Sequence, residues 1–187
     1  MTVKELINYT AKLLEEEDVC MLLSDKAPKN SEYASSTLEL LKRCLDVITD
    51  EIACEFYPVK AIQTFNVTDQ KIYYKDFSSA PIKILEVRGE NNEKCPYRLI
   101  SDHFTVSNGK KTVLYEYKPK PQDFNEDALF SNSVIGENVL SWGMASEFCF
   151  ARGRYSESEK WREKFLSGLQ SRIFERETKR IPQRRWY

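Results

Sequence analysis

The sequence predicts an α+β protein: a four-helix bundle built from an N-terminal and a C-terminal helical pair, with a β-strand insertion between the two pairs. Three observations predict it. Leu38, Leu41, Leu45, Ile48, Ile52 and Phe56 recur every three or four residues and trace one face of a long helix. From Val59 to Lys118 the texture turns β-branched and aromatic, interrupted by turn residues. Beyond that stretch, Trp161, Phe165, Leu169 and Ile173 stand four residues apart as a second apolar stripe.

Each element has a local reason. Thr2 and Glu5 form a capping box that starts the first helix at Val3, followed by Leu6, Leu13 and Leu14. "SDKAPKNSEY" reads as a loop by its Pro, Asn and Ser content. Ser36 and Glu39 suggest a second capping box at the head of the long helix, which must stop before Pro58. The runs "VKAIQTFNV", "KIYY", "IKILEVRG", "YRLI" and "FTVSNGKKTVLYEY" are strand candidates. Within the last of these, Asn108-Gly109 lies between Phe104 and Val106 on one side and Val113, Tyr115 and Tyr117 on the other. That pattern predicts a two-residue hairpin turn, because Asn-Gly tolerates positive φ. Pro119 and Pro121 end the sheet, since neither can donate a ladder hydrogen bond. "GENVLSWGMASEFCFARGRY" is apolar around most of a helix and should be buried. Gly153 breaks it, Ser156 and Glu159 suggest a third capping box, and the last helix should reach about Thr178. The expected division is 1–58 helical pair, 59–121 β-insertion, 122–178 helical pair, and 179–187 extended tail.

Composition narrows the function classes. With 187 residues, 41% hydrophobic and 30% charged, the chain should fold around one core rather than remain disordered. No apolar run approaches the ~20 residues of a membrane span, and the opening residues lack a basic, cleavable leader, so a soluble cytosolic protein is expected. The five cysteines are odd in number, scattered and never in C-x-x-C, which points to reduced thiols and to neither a disulfide framework nor zinc. Asn8-Tyr9-Thr10 and Asn66-Val67-Thr68 would be glycosylated only in a secreted chain. Net charge is −1 but uneven: residues 1–57 hold 6 basic and 12 acidic side chains, residues 151–187 hold 11 and 5. Those opposite ends can pair within one subunit or favour head-to-tail contacts between copies.

Chemistry-bearing motifs are sparse. The one histidine, His103, follows Asp102 in "ISDHFTV"; a catalytic base would need a nucleophile that no motif supplies, and an exposed loop histidine accounts for it. Phosphate-binding glycine loops, H-E-x-x-H and calcium loops do not occur. The "EEED" run at Glu15 to Asp18 points in several directions on a helix and reads as a solvated face. No catalytic, cofactor-binding or metal-ligating residue is therefore expected, and the chain is not expected to be an enzyme. The tail is different. Arg176, Lys179, Arg180, Arg184 and Arg185, with Trp186 and Tyr187 as stacking platforms, could attract nucleic acid. The pI of about 6.0 and the lack of a recognisable module rank that reading second.

The order of elements, with "EIACEFYPVK", "KIYYKDFSSAPIKILEVRGE", "GMASEFCFARGRYSESEKWREKFLSGLQSRI" and the closing "KRIPQRRW", resembles the head-tail connector, or adaptor, proteins of tailed bacteriophages over the whole chain. It is similar to the first-ring proteins of short-tailed phages, including the crAss-like group and the tail tubular protein A type. These are phrases of texture rather than catalytic motifs. The resemblance implies a connector-type bundle and a structural virion role at the head-tail junction, after synthesis in the host bacterial cytoplasm. About twelve copies would form a homo-dodecameric ring below the portal protein and meet the next tail ring or tail tube protein. Genomic DNA would pass through the channel without sequence-specific binding, with no membrane and no cofactor involved. It also implies that the C-terminal segment, Arg180, Ile181, Pro182, Gln183, Arg184, Arg185, Trp186 and Tyr187, docks on the portal. Proline can pre-set an extended path, arginines can pair bidentately with carboxylates, and the aromatics can anchor.

Overall fold

A computed structural model describes residues 1–131, 133 and 135–177, with side chains described as far as Arg172. The α+β class fits, but the four-helix bundle with one strand insertion does not. Among the described residues there are five α-helices, and the strands form two small antiparallel sheets. The chain divides into a helical unit, residues 1–49 and 122–177, and a β unit, residues 50–121.

In the helical unit, α1 (Val3–Leu13) starts where the capping box predicts. The Thr2 amide donates to Glu5 Oε2 at 2.9 Å, and the Glu5 amide donates to Thr2 Oγ1 at 3.2 Å. Two further amides of the first turn, Val3 and Lys4, donate to the carbonyls of Glu126 and Phe124, so the 122–128 segment completes the helix end. Val3, Leu6, Ile7, Thr10 and Ala11 form the buried face. The helix stops at Leu14 because Glu15 adopts φ 60, and a short α2 (Glu17–Leu23) follows. That unforeseen break supplies the fifth helix.

The long helix α3 (Ser31–Glu51) begins five residues before Ser36. Asn30 Oδ1 accepts the Tyr33 amide at 3.0 Å, while Ser36 Oγ donates back to the Tyr33 carbonyl, so the second capping box does not exist. Leu41, Leu45 and Ile48 are buried as their spacing requires, and a π-helical turn, Ile52–Phe56, carries the chain to Pro58. α4 (Gly136–Ala151) is buried along most of its length, and α5 (Tyr155–Glu177) packs on it. Because α5 begins at Tyr155, Ser156 sits inside its first turn and the third capping box is absent too.

In the β unit, β1 (Lys60–Val67), β6 (Gly109–Tyr117) and β3 (Pro81–Arg88) form one sheet with β6 central. β2 (Lys71–Tyr73), β5 (His103–Thr105) and β4 (Arg98–Leu99) form the other. The predicted Asn108-Gly109 hairpin is therefore corrected, since β5 and β6 belong to different sheets. Asn108 Oδ1 instead accepts the Gln70 amide at 2.8 Å, and Gly109, at φ 104, opens β6. One aromatic cluster serves both sheets. Phe77 meets Tyr115 edge-on at 4.6 Å and lies 4.9 Å from Phe65 and 6.3 Å from Phe104.

Candidate docking surfaces

All eight residues expected to dock, Arg180 to Tyr187, lie outside the described residues; the helix leading to them does not. α5 is held to α4 by contacts that fix its azimuth. Ser146 Oγ donates to the Ser158 carbonyl at 3.1 Å, and Ser158 Oγ returns the bond to the Ser146 carbonyl at 2.9 Å. Farther along, Gly168 lets α5 approach Val139 and Trp142 of α4. Of the predicted stripe, Phe165 and Leu169 are fully buried, Trp161 is half-buried beneath the Lys164 ammonium at 4.4 Å, and the Ile173 side chain lies outside the described set. Beside this seam a cleft of about 460 Å³ is lined by Trp142, Glu163, Lys164, Ser167 and Ser171 among others.

The α4–α5 turn carries aromatic surface, and it corrects one expectation: Phe150, part of the run expected to be buried, faces solvent at the end of α4. Gly153, at φ 74, reverses the chain, and Arg154 N closes the turn on the Cys149 carbonyl at 2.8 Å. Phe150 and Tyr155 flank it, 61% and 65% exposed, with ring centroids 5.5 Å apart. Arg152 donates to Thr37 Oγ1 at 2.7 Å and lies over the rings of Tyr33 and Phe148. Tyr33 in turn donates to Glu16 Oε2 at 2.9 Å.

The "EEED" run does more than solvate a face. Glu15 turns the chain, Glu16 holds Tyr33, Glu17 pairs with Lys29 at 3.8 Å, and Asp18 accepts the Lys29 amide at 2.9 Å. Between α1 and α2 this leaves an open groove of about 570 Å³, with Ala11, Cys20 and Met21 among its lining residues. Burial pushes the Cys20 thiol above its ordinary range.

Asp102 and His103 are brought together, but as a brace. Asp102 Oδ1 lies 2.6 Å from His103 Nδ1, and that bond holds the Asp102 carboxyl below its ordinary range. The imidazole rests on Tyr73, and among the described residues no hydroxyl or thiol hydrogen-bonds it. The same hairpin tip is tied by Ile100 N to the His103 carbonyl at 2.9 Å. Tyr74 adds two bonds, its hydroxyl to the Ile100 carbonyl at 3.0 Å and its amide to the Asp102 carbonyl at 3.1 Å. Four bonds thus fix a tip on which Leu99 and Ile100 stand 57% and 40% exposed.

Among the described residues no three His, Cys, Asp or Glu side chains gather as a metal set, and no helix is long and apolar enough to cross a membrane. The chain matches no family model and no curated protein sequence.

Proposed function

We propose that this chain is a structural virion protein that forms a ring below the portal, joins head to tail and extends the DNA channel. One observation carries the reading: large apolar side chains are left in solvent on several separate elements, Val47 of α3 and Ile82 of β3 among them. Phe150 and Tyr155 are on a helical turn, Leu99 and Ile100 on a braced hairpin, and Ile62 on a sheet face. Exposed aromatic and aliphatic groups on pre-organised elements suit contact with other macromolecules. The opposite charge of the two chain ends suits repeated contacts between copies. α5 supports the same reading, since a helix of 23 residues locked to α4 gives a docking segment beyond it a rigid base.

The test is to mix the full chain with its cognate portal protein and image the product. A ring of about twelve copies seated on the portal is expected. Persistent failure to bind portal, together with tight binding to DNA that salt removes, would favour the nucleic-acid reading instead.

A further inference from the structure

We propose that β1 pairs antiparallel with β1 of a second copy about a two-fold axis at Gln63, joining the two β1–β6–β3 sheets edge to edge. The inference goes beyond the ring reading and concerns the free protein, because copies that all face one portal are related by rotation about the ring axis and share no such two-fold. The Tyr117 amide donates to the Val59 carbonyl at 3.1 Å, and the register continues with Lys60 opposite Glu116. In an antiparallel ladder this fixes the alternation. Ala61, Gln63, Phe65 and Val67 aim their backbone groups at β6, while Lys60, Ile62, Thr64 and Asn66 aim theirs away from it. All four of the latter are exposed, and among the described residues nothing hydrogen-bonds their outward amides and carbonyls. Gln63 does not close this edge. It accepts the Ser78 amide at 2.9 Å and donates to the Asp76 carbonyl at 3.1 Å through its side chain, on the opposite face of the sheet.

Sheet edges that stay single are blunted, and β3, the other edge of this sheet, shows how. β3 begins at Pro81 and breaks register twice, and the turn beyond it folds back so that Cys95 donates to the Val87 carbonyl at 2.8 Å. β1 has none of these devices: its 8 residues run in unbroken register without proline, and Lys60 is its one outward charge. β2 and β4 are only 3 and 2 residues long. Among the described residues, the strand that matches the open edge of β1 in length is therefore β1 of a second copy. Backbone chemistry also sets the register. Centred on Gln63, Lys60 faces Asn66 of the second copy and Ile62 faces its Thr64, so every outward backbone group of the four finds a partner and no like charges meet. A shift of one pair toward the start sets Asn66 against Pro58, which has no amide to donate. A shift toward the end runs past Val67, where β1 stops. In the Gln63 register Ile62, 69% exposed in the single chain, is covered by Thr64 of the second copy and reached diagonally by its Ile62.

Light scattering after size exclusion, on the full chain without portal, tests the pairing. Twice the 21.9 kDa chain mass is expected at high protein concentration, falling toward the single-chain mass on dilution. Thr64→Pro removes an outward amide only, a change that an edge strand tolerates. It should return the single-chain mass while far-UV circular dichroism stays unchanged. Ile62→Lys sets lysines against each other across the axis and should do the same, which keeps the test decisive if the proline variant fails to fold. Ile82→Lys, on β3, should leave the pair intact. Amide exchange locates the contact: Ile62, Thr64 and Asn66 should exchange about tenfold or more slowly in the concentrated protein than in the dilute one. A single-chain mass at every concentration, a multiple above two, or a pair that survives Ile62→Lys overturns the proposal. So does a pair lost as readily with Ile82→Lys, which would put the contact on the sheet face, or exchange at the β1 amides that ignores concentration. The ring reading is judged separately, by mixing with the portal: a portal-bound ring without a free pair retires this contact alone, and a free pair without any portal complex retires the portal role alone.

Discussion

A Cβ placed on Gly143 would stand 3.0 Å from Phe165 Cδ2, and 2.9 Å from Ile48 Cγ2 on its other side. Gly143 is thus the point where α4 lets both α3 and α5 come close. Gly143→Ala is expected to destabilise the helical unit, because overpacking against two fully buried side chains costs about 1–3 kcal/mol. The gain in helix propensity offsets about 1 kcal/mol at most. Urea denaturation should show a lower midpoint with an unchanged slope; a higher midpoint would mean that the three helices have room the contacts do not show.

Phe165 itself sets the second expectation. It is fully buried and has the Arg162 guanidinium 5.3 Å from its ring centre. Phe165→Ala should cost about 3–5 kcal/mol, through lost burial and the cavity left behind. A loss near zero in the same denaturation experiment would contradict the placement of Phe165 in the core beside α4.

Acid should act on the first helix through Glu5. The Thr2 amide, hydrogen-bonded to its carboxylate, holds Glu5 below its ordinary pKa. A carboxyl depressed in the folded state contributes stability above its unfolded pKa, and the contribution is lost as pH falls through the folded value. Glu5→Gln removes that titration. The variant should therefore be the less stable protein near neutral pH, and the gap to the parent should close between about pH 6 and about pH 3. Thermal midpoints measured across that range check it, and a gap constant with pH would contradict the assignment.

Thiol labelling reads the two classes of cysteine. Cys44 is buried, and its thiol is pushed up to about 12, first by burial and then by the Glu147 charge. Cys149 is fully buried, and burial raises its thiol too. Cys54 is exposed. With a disulfide-exchange reagent at about pH 8, Cys54 should react promptly because it is exposed. Cys44 and Cys149 should react only as the protein unfolds. Prompt reaction of Cys44 would show that the interior between α3 and α4 opens readily.

The parts of this fold that could be read from the sequence are those decided within a few residues. Thr2 and Glu5 are a complete capping unit, and the 3.6-residue period of Leu41, Leu45 and Ile48 needs no distant partner. Where two local solutions compete, tertiary context chooses. Asn30 caps α3 although Ser36 and Glu39 offered the same motif, and nothing in "LLEEED" announces that Glu15 will take a left-handed conformation. Sheet partnership was the least legible feature. Phe104 and Val113 flank an Asn-Gly pair as a hairpin would, yet β6 finds its partners in β1 and β3, far along the chain. The tail, which lies outside the described residues, stood out by its arginines, Pro182 and two aromatics. The α1–α2 groove and the hairpin tip did not, because Cys20, Met21, Leu99 and Ile100 are ordinary residues that acquire meaning only from exposure and bracing.

The tail is the last element to test, and docking separates from charge attraction by its response to salt. Residues Arg180 to Tyr187 follow the last apolar repeat of α5 and hold three arginines, a tryptophan and a tyrosine with no carboxylate side chain. Phe165 and Leu169, which hold α5 to the rest of the unit, lie well upstream, so deleting 180–187 should leave the unfolding midpoint unchanged. Portal binding should then fall sharply. Trp186→Ala and the Arg184→Ala, Arg185→Ala pair divide the cause. An indole seated in an apolar pocket gives a large loss that persists in salt, whereas attraction to phosphates gives an arginine effect that disappears as the Debye length shrinks from ~10 Å at 0.1 M to ~3 Å at 1 M. Binding to the cognate portal by titration at both salt concentrations is the measurement. The docking reading requires the tryptophan loss to survive in 1 M salt, and a truncated chain that joins the portal as tightly as the intact one would end it.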